Sequence, residues 1–285
     1  MPEQYAYQPG TILSDYQQAV DILRSRYSIV RTEWVDPRPH LDEIVQQVKS
    51  SGLSTMDLKV SAPEFADYFW RAEYALRYQD YYRGNLPEKA FEHFLALRLL
   101  KPAVDDVFID VASEGSPLPE IVSRMQGCTS HAQDIMYEEG ITGNRIGGDA
   151  CAMPVQAGFA SCVTLTCSLE HFEGDSDTRL FLELQRVLRP GGRVVVVPLY
   201  MFREAAVQTD PTYSAVLDIP FDSGVPIYCA EGWKNRHGRW YSAETLRSRI
   251  VNQCSQMKFA VYRLHNTEGI HRSIYARFCL VGQRL

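Results

Sequence analysis

Three acidic residues stand at the ends of short strand-like runs, the second of them a weak and polar one, where strand ends of a sheet would hold a ligand. Asp110 closes VFID (107–110), Asp134 follows 24 residues later behind CTSHAQ, and Asp149 falls in GGDACAMP (147–154). In open parallel sheets, ligands sit outside the carboxyl ends of the strands. A carboxylate at the second strand end can accept hydrogen bonds from both hydroxyls of a ribose. That role is expected of Asp134, with Glu138 as the nearby substitute. After Asp110 the turn Ala112-Ser113-Glu114-Gly115-Ser116 consists of small residues and one acid. Small residues let the backbone come close to a bound molecule. A pyrophosphate would want G-x-G-x-x-G and would be repelled by Glu114, which argues against a nicotinamide-dependent oxidoreductase.

Proton chemistry has a second address. The segment SLEHFEGD (168–175) follows the apolar run ASCVTLTCS (160–168). His171 is the first candidate for a general base, because imidazole takes and gives protons near neutral pH; Glu170 is the second. The alternative is that His171 only packs or caps the start of the next helix. Tyr200 ends RVVVVPLY (193–200), where it would line an acceptor pocket. The segment GWKNRHGRWYS (232–242) gathers aromatic and cationic side chains, a mixture suited to sugars or anionic small molecules. Arg239, Trp240 and Tyr241 are therefore assigned with Tyr200 to the acceptor, against the alternative of an exposed loop and helix cap. His93, in FEHF, reads as a packed surface histidine rather than a functional one.

The elements that must position these residues follow from hydrophobic periodicity. Helices are expected over 14–30, 40–50, 62–82, 87–101, 119–125, 176–189 and 242–251. The aromatics of 62–82 are read as core packing, with a pocket wall as the alternative. Strands are expected at 107–112, 128–135, 144–150, 160–168, 193–200, 259–265 and 273–285. Strands alternating with helices give a parallel sheet covered on both faces. Pro190-Gly191-Gly192 ends a helix and reverses the chain into a buried strand.

The block RVLRPGGRVVV (186–196), with the ordered acids upstream, resembles the class I S-adenosylmethionine-dependent methyltransferases of the type-11-like, small-molecule and glycan branch. The resemblance spans 88–200 and extends through the C-terminal strands; the first 80 or so residues lie outside it. It implies a doubly wound, seven-stranded, mostly parallel Rossmann-like sheet with an antiparallel last strand. It implies S-adenosylmethionine as cofactor, held by Asp110, Ala112, Ser113, Glu114 and Gly115, by Asp134 at the ribose, and by Asp149 and Ala150 at the adenine. Cys167 and Ser168, after the fourth strand, are placed beside the methyl group. Ala112, Glu114 and Ser116 stand where the family usually has glycines. The expected organisation is a helical N-terminal extension (1–86), serving as a lid or dimer contact, and a methyltransferase domain (87–285). An acceptor-site insertion falls around 201–241.

Bulk properties agree with a small-molecule enzyme. The 285 residues carry a net charge of -6 and 45% hydrophobic residues, with no basic run to hold a nucleic-acid backbone. Seven cysteines, an odd number with no C-x-x-C pair, suit free thiols in a reducing compartment and no metal site. Neither a secretory leader nor a membrane-spanning run is recognised, so the expected location is cytoplasmic. The expected partner is a small-molecule or glycan acceptor, with a homodimer as the assembly considered. The rival to an enzyme is a binding or scaffold protein that keeps the methyltransferase fold without catalysis.

Overall fold

The computed structural model describes residues 12–82 and 84–285. The N-terminal part supplies α1 (Tyr16–Arg26), β1 (Val30–Arg31), α2 (Leu41–Ser50), β2 (Ser54–Lys59), α3 (Ala62–Ala72), α4 (Tyr74–Arg77) and α5 (Leu86–Leu100). There follow β3 (Val107–Val111), α6 (Leu118–Gln126), β4 (Thr129–Asp134), β5 (Gly140–Thr142), β6 (Arg145–Gly147), β7 (Ala160–Thr166), α7 (Ser176–Val187) and β8 (Leu188–Val197). The chain ends with β9 (Ala206–Thr209), α8 (Pro211–Ser214), β10 (Ile227–Cys229), β11 (Gly238–Trp240), α9 (Ala243–Arg249), β12 (Met257–His265) and β13 (Phe278–Arg284).

The main sheet has the order β2-β12-β13-β8-β7-β3-β4-β6-β5. Strands β8, β7, β3, β4 and β6 are mutually parallel, and β13 runs antiparallel to both β8 and β12. This is the doubly wound α/β sheet expected, with its antiparallel last strand. Its central strands are apolar on both faces because both faces are covered. Alternation sends Ile109, Val163, Val194 and Val196 into one core with α7 and α9, and Phe108, Cys162, Val195 and Val197 into the other with α3, α5 and α6. All seven cysteines are free. Among the described residues no helix is long and apolar enough to cross a membrane.

The sheet has nine strands where seven were expected. Strand β2 is an exposed edge of polar composition, STMDLK, parallel to β12, so it lacks the alternation that marks a strand. Strand β5 forms a hairpin with β6 through Gly143-Asn144, a two-residue signal too short to register in a helix-and-strand pattern. The N-terminal region is therefore not purely helical. The expected helix over 62–82 breaks at Glu73, which sits in the left-handed region at φ +58 and ends α3. Within it Phe65, Tyr68 and Tyr74 are core residues, whereas Trp70 is 82% exposed. Pro190-Gly191-Gly192 forms an excursion between two paired residues of β8, Leu188 and Arg193, rather than a separate turn.

A second, four-stranded sheet has the order β1-β10-β9-β11. It joins the N-terminal β1 to three strands from the segment between β8 and α9. It is backed by α1, whose Ala19, Val20 and Leu23 pack on Ile227 and Cys229. Its other side packs Val35, Phe202, Tyr228 and Trp240 together.

Candidate active site

The three acids expected at the strand ends lie on adjacent strands in different settings. Asp110 pairs in register with Ala132 of β4, and Asp134 with Gly147 of β6, so β3, β4 and β6 end side by side. Asp134 accepts hydrogen bonds from the Glu114 N–H at 2.8 Å and the Met136 N–H at 2.9 Å. It thereby pins the turn after β3 to the end of β4. Gln133 adds a second stitch, accepting from the Ala112 N–H at 3.3 Å and donating to the Gly148 carbonyl at 2.7 Å. Asp149 caps the short turn Ala150–Ala152 by accepting from the Cys151 N–H at 2.9 Å, with Arg179 3.8 Å away. Glu138, the substitute for Asp134, is exposed.

Pinned in this way, the turn takes up backbone that favours glycine. Ala112, Glu114 and Gly115 have φ of +52, +43 and +73. The sequence departs from glycine at 112 and 114 while the chain keeps the conformation glycine would give. Such positions cost on the order of 1 kcal/mol each and persist where surrounding bonds fix them. The Ser113 hydroxyl lies 3.2 Å from the Tyr137 hydroxyl, and the Ser168 hydroxyl donates to the Val111 carbonyl at 3.5 Å.

Asp110 is fully buried on the α5 side of the sheet, and neither carboxylate oxygen has a hydrogen-bond partner. Burial raises its pKa to about 7, against the pull of the nearby Ser116 hydroxyl and Lys89. Sequence reasoning missed the polar face of α5 beneath it. Lys89 donates to Glu92 at 3.1 and 3.3 Å, and Glu88 accepts from the Tyr275 and Ala276 N–H groups at 2.9 and 3.1 Å. Burial pushes Glu88 up to about 7. Burial works to lower Lys89, but the charge of Glu92 outweighs it and holds the ammonium protonated. His93 is fully buried rather than at the surface, contacting the Tyr74 hydroxyl at 2.7 Å, and burial lowers its pKa to about 3. The available signal was three charges at 88, 89 and 92 crowded into the first two turns of a helix rich in apolar residues.

A cavity of about 830 Å³ opens at the ends of β3, β7 and β8, beneath the second sheet. Glu114, Cys167, Glu170, His171, Tyr200 and Trp240 all line it, together with Tyr82, Trp34, Trp233 and Tyr275. Cys167, itself at φ +51, places its thiol 3.5 Å from the Tyr200 hydroxyl and 3.4 Å from that of Tyr275. Burial raises the pKa of all three, so they face the cavity uncharged. Tyr200 meets Trp240 edge-on at 4.8 Å.

His171 belongs to the short turn Leu169–His171 after β7. Its Nδ1 lies 2.6 Å from the His237 carbonyl oxygen, and its Nε2 lies 3.6 Å from Glu170 Oε1. A carbonyl only accepts, so Nδ1 carries the proton and Nε2 is free to accept one. Glu170 is buried, with Oε2 lacking any partner. It is placed to balance a positive charge on His171.

Two expected acceptor residues are elsewhere. Arg239 is 1% exposed and is consumed by Asp222, Asp177 and the carbonyls of Phe172 and Gly174. Tyr241 is buried and donates to Asp177 at 2.7 Å. Alternation along β11 explains the correction: Trp240 lines the cavity, while its neighbours Arg239 and Tyr241 point to the braced side.

A family described as "Methyltransferase domain" matches residues 125–196, from the end of α6 through β8. No curated protein matches the chain. Among solved structures, a complex of the Haloferax volcanii Trm112 methyltransferase activator with a methyltransferase is similar at 12% identity and TM-score 0.49, covering 75% of this chain and 97% of that one. The Burkholderia thailandensis 1,6-didemethyltoxoflavin-N1-methyltransferase, solved with that ligand and S-adenosylhomocysteine, is similar at 13% identity and TM-score 0.44, covering 81% and 94%. A SAM-dependent methyltransferase from Methanosarcina mazei is similar at 13% identity and TM-score 0.43, covering 65% and 94%. The family match lies across β4, β6, β7 and β8, with Asp134, Asp149 and the His171 turn inside it and Asp110 before it, so residues 125–196 are similar to a methyltransferase domain.

Proposed function

We propose that this protein methylates a hydroxyl of a small acceptor, a sugar or related metabolite, with His171 as general base. The observation that carries the donor side is Asp110: a buried carboxylate with two unpartnered oxygens at the end of the first parallel strand. A cationic ligand satisfies such a group, whereas a phosphate would not. The residues present therefore fit S-adenosylmethionine, with Asp110 toward its cationic end, the turn 112–115 along its backbone-facing side, and Asp134, Asp149 and Ala150 toward its nucleoside. When bound, S-adenosylmethionine supplies an activated methyl group on a leaving sulfur that departs neutral. The chain's own task is orientation, exclusion of water and removal of one proton.

The acceptor side rests on the cavity. Aromatic faces from Trp34, Trp233, Trp240 and Tyr200 suit the apolar face of a sugar or planar metabolite. His171 Nε2 is the free acceptor for the hydroxyl proton, and Glu170 balances the imidazolium that results. The test is acceptor-dependent release of S-adenosylhomocysteine across a panel of hydroxylated sugars and metabolites. His171→Ala should lower kcat about 10²- to 10⁴-fold with donor affinity unchanged. An equal rate in the variant removes His171 from the mechanism. Donor binding without turnover on any acceptor favours the scaffold reading.

A further inference from the structure

The segment 232–242 also grips the His171 turn almost residue by residue. Arg236 donates to Glu173 at 2.6 Å, Arg239 to the carbonyls of Phe172 and Gly174 at 2.6 and 2.8 Å, and His237 Nδ1 to the Glu170 carbonyl at 3.0 Å. In the opposite direction, His171 Nδ1 donates to the His237 carbonyl at 2.6 Å. The two histidines thus exchange bonds: each ring donates to backbone carried by the other's segment. His237 is buried, stacks on Phe221 at 6.0 Å, and leaves its own Nε2 without a partner.

We propose that His237 is a positioning residue that fixes the His171 imidazole as its neutral Nδ1–H form and leaves the Nε2 lone pair for the acceptor's proton. Its ring holds the Glu170 carbonyl, its carbonyl holds the His171 ring, and the two bonds together set the rotation of the turn. Burial lowers the His237 pKa to about 3, so it stays an uncharged donor at working pH. The groups facing His171 are Glu170 on its own turn, Trp233 at 5.9 Å, and His237. None of these offers Nδ1 a competing acceptor closer than the 2.6 Å carbonyl. The second sheet is accordingly part of the catalytic apparatus, because β11 and the residues before it define which nitrogen of His171 is the base.

The proposal rests on the reading of His171 as base for its purpose, while the tautomer can be measured without any substrate. Long-range ¹H–¹⁵N NMR of ¹⁵N-histidine-labelled protein, with His171 assigned by loss of its signal in His171→Gln, reads it directly. Wild-type protein should show neutral His171 as Nδ1–H. His237→Phe keeps a ring on Phe221 but removes the donor, and should mix in the Nε2–H form and lower turnover at least about tenfold. His237→Asn places a side-chain N–H where Nδ1–H was, and should restore both. Neutral His171 in the Nε2–H form in wild-type protein, or an unchanged tautomer in His237→Phe, overturns the proposal. An Nδ1–H tautomer in a protein with no methyl transfer would instead count against the proposed function alone.

Discussion

At the scale of single residues, the site is built from side chains held in costly states. Asp110 has its pKa raised from 3.8 to about 7 by burial, so the folded chain holds its proton more tightly than the unfolded one. The resulting stabilisation is complete below about pH 4 and is lost as pH rises to about 7. Asp110→Asn, which cannot ionise, should therefore gain on wild-type protein across that window, by as much as about 4 kcal/mol above pH 7. Urea titrations at pH 4.5 and pH 8 measure the gap, and an equal gap at both would contradict the assignment. Ala112 makes a second case. At φ +52 it needs the left-handed region, so Ala112→Gly should be neutral or raise Tm slightly. Ala112→Val, β-branched at the same position, should cost more than about 1 kcal/mol and lower Tm. Identical melting of the two variants would show that the turn does not require this conformation. The sequence made the acids legible but not their states. Asp110, Asp134 and Asp149 all look like residues ending a strand, and only packing makes one orphaned, one doubly bonded and one a half-buried cap.

At the scale of elements, legibility followed periodicity. The strands β3, β7 and β8 and the helix α7 stand out because burial on both sides, or on one stripe, leaves a pattern in the residues. Strands β2 and β5 do not, since an edge strand and a three-residue hairpin bury too little to be patterned. The composition of segment 232–242 points to an acceptor for Arg239, whereas the structure pairs that residue with acids inside the fold. Opposite charges 17 and 62 residues before Arg239, at Asp222 and Asp177, claim its guanidinium, and sequence alone does not pair them. Burial works against the ionised Asp222, but the Arg239 guanidinium outweighs it and holds the carboxyl below its ordinary range. Removing the buried cation leaves Asp177 and Asp222 to share Arg249 alone and takes the donor from the Phe172 carbonyl, so Arg239→Met should destabilise by about 3 kcal/mol. Thermal unfolding checks this. A variant that melts like wild-type protein but raises acceptor KM would return Arg239 to the acceptor site.

At the scale of the whole molecule, the sheet order places β3, β7 and β8 together, and the second sheet lies over their ends. Two parts of the chain far apart in sequence, the N-terminal β1 and the strands after β8, close that roof as one sheet. The family match at 125–196 takes in Cys167, Glu170 and His171 of the cavity wall, and the strands of the roof lie outside that span. Everything proposed for the cavity depends on a methyl donor binding at the strand ends. Isothermal titration with S-adenosylmethionine and S-adenosylhomocysteine tests that most directly. The account predicts saturable, micromolar binding of both ligands to wild-type protein and its loss in Asp110→Ala and Asp134→Ala. Absence of binding to the folded wild-type chain, or binding untouched by both substitutions, would contradict it.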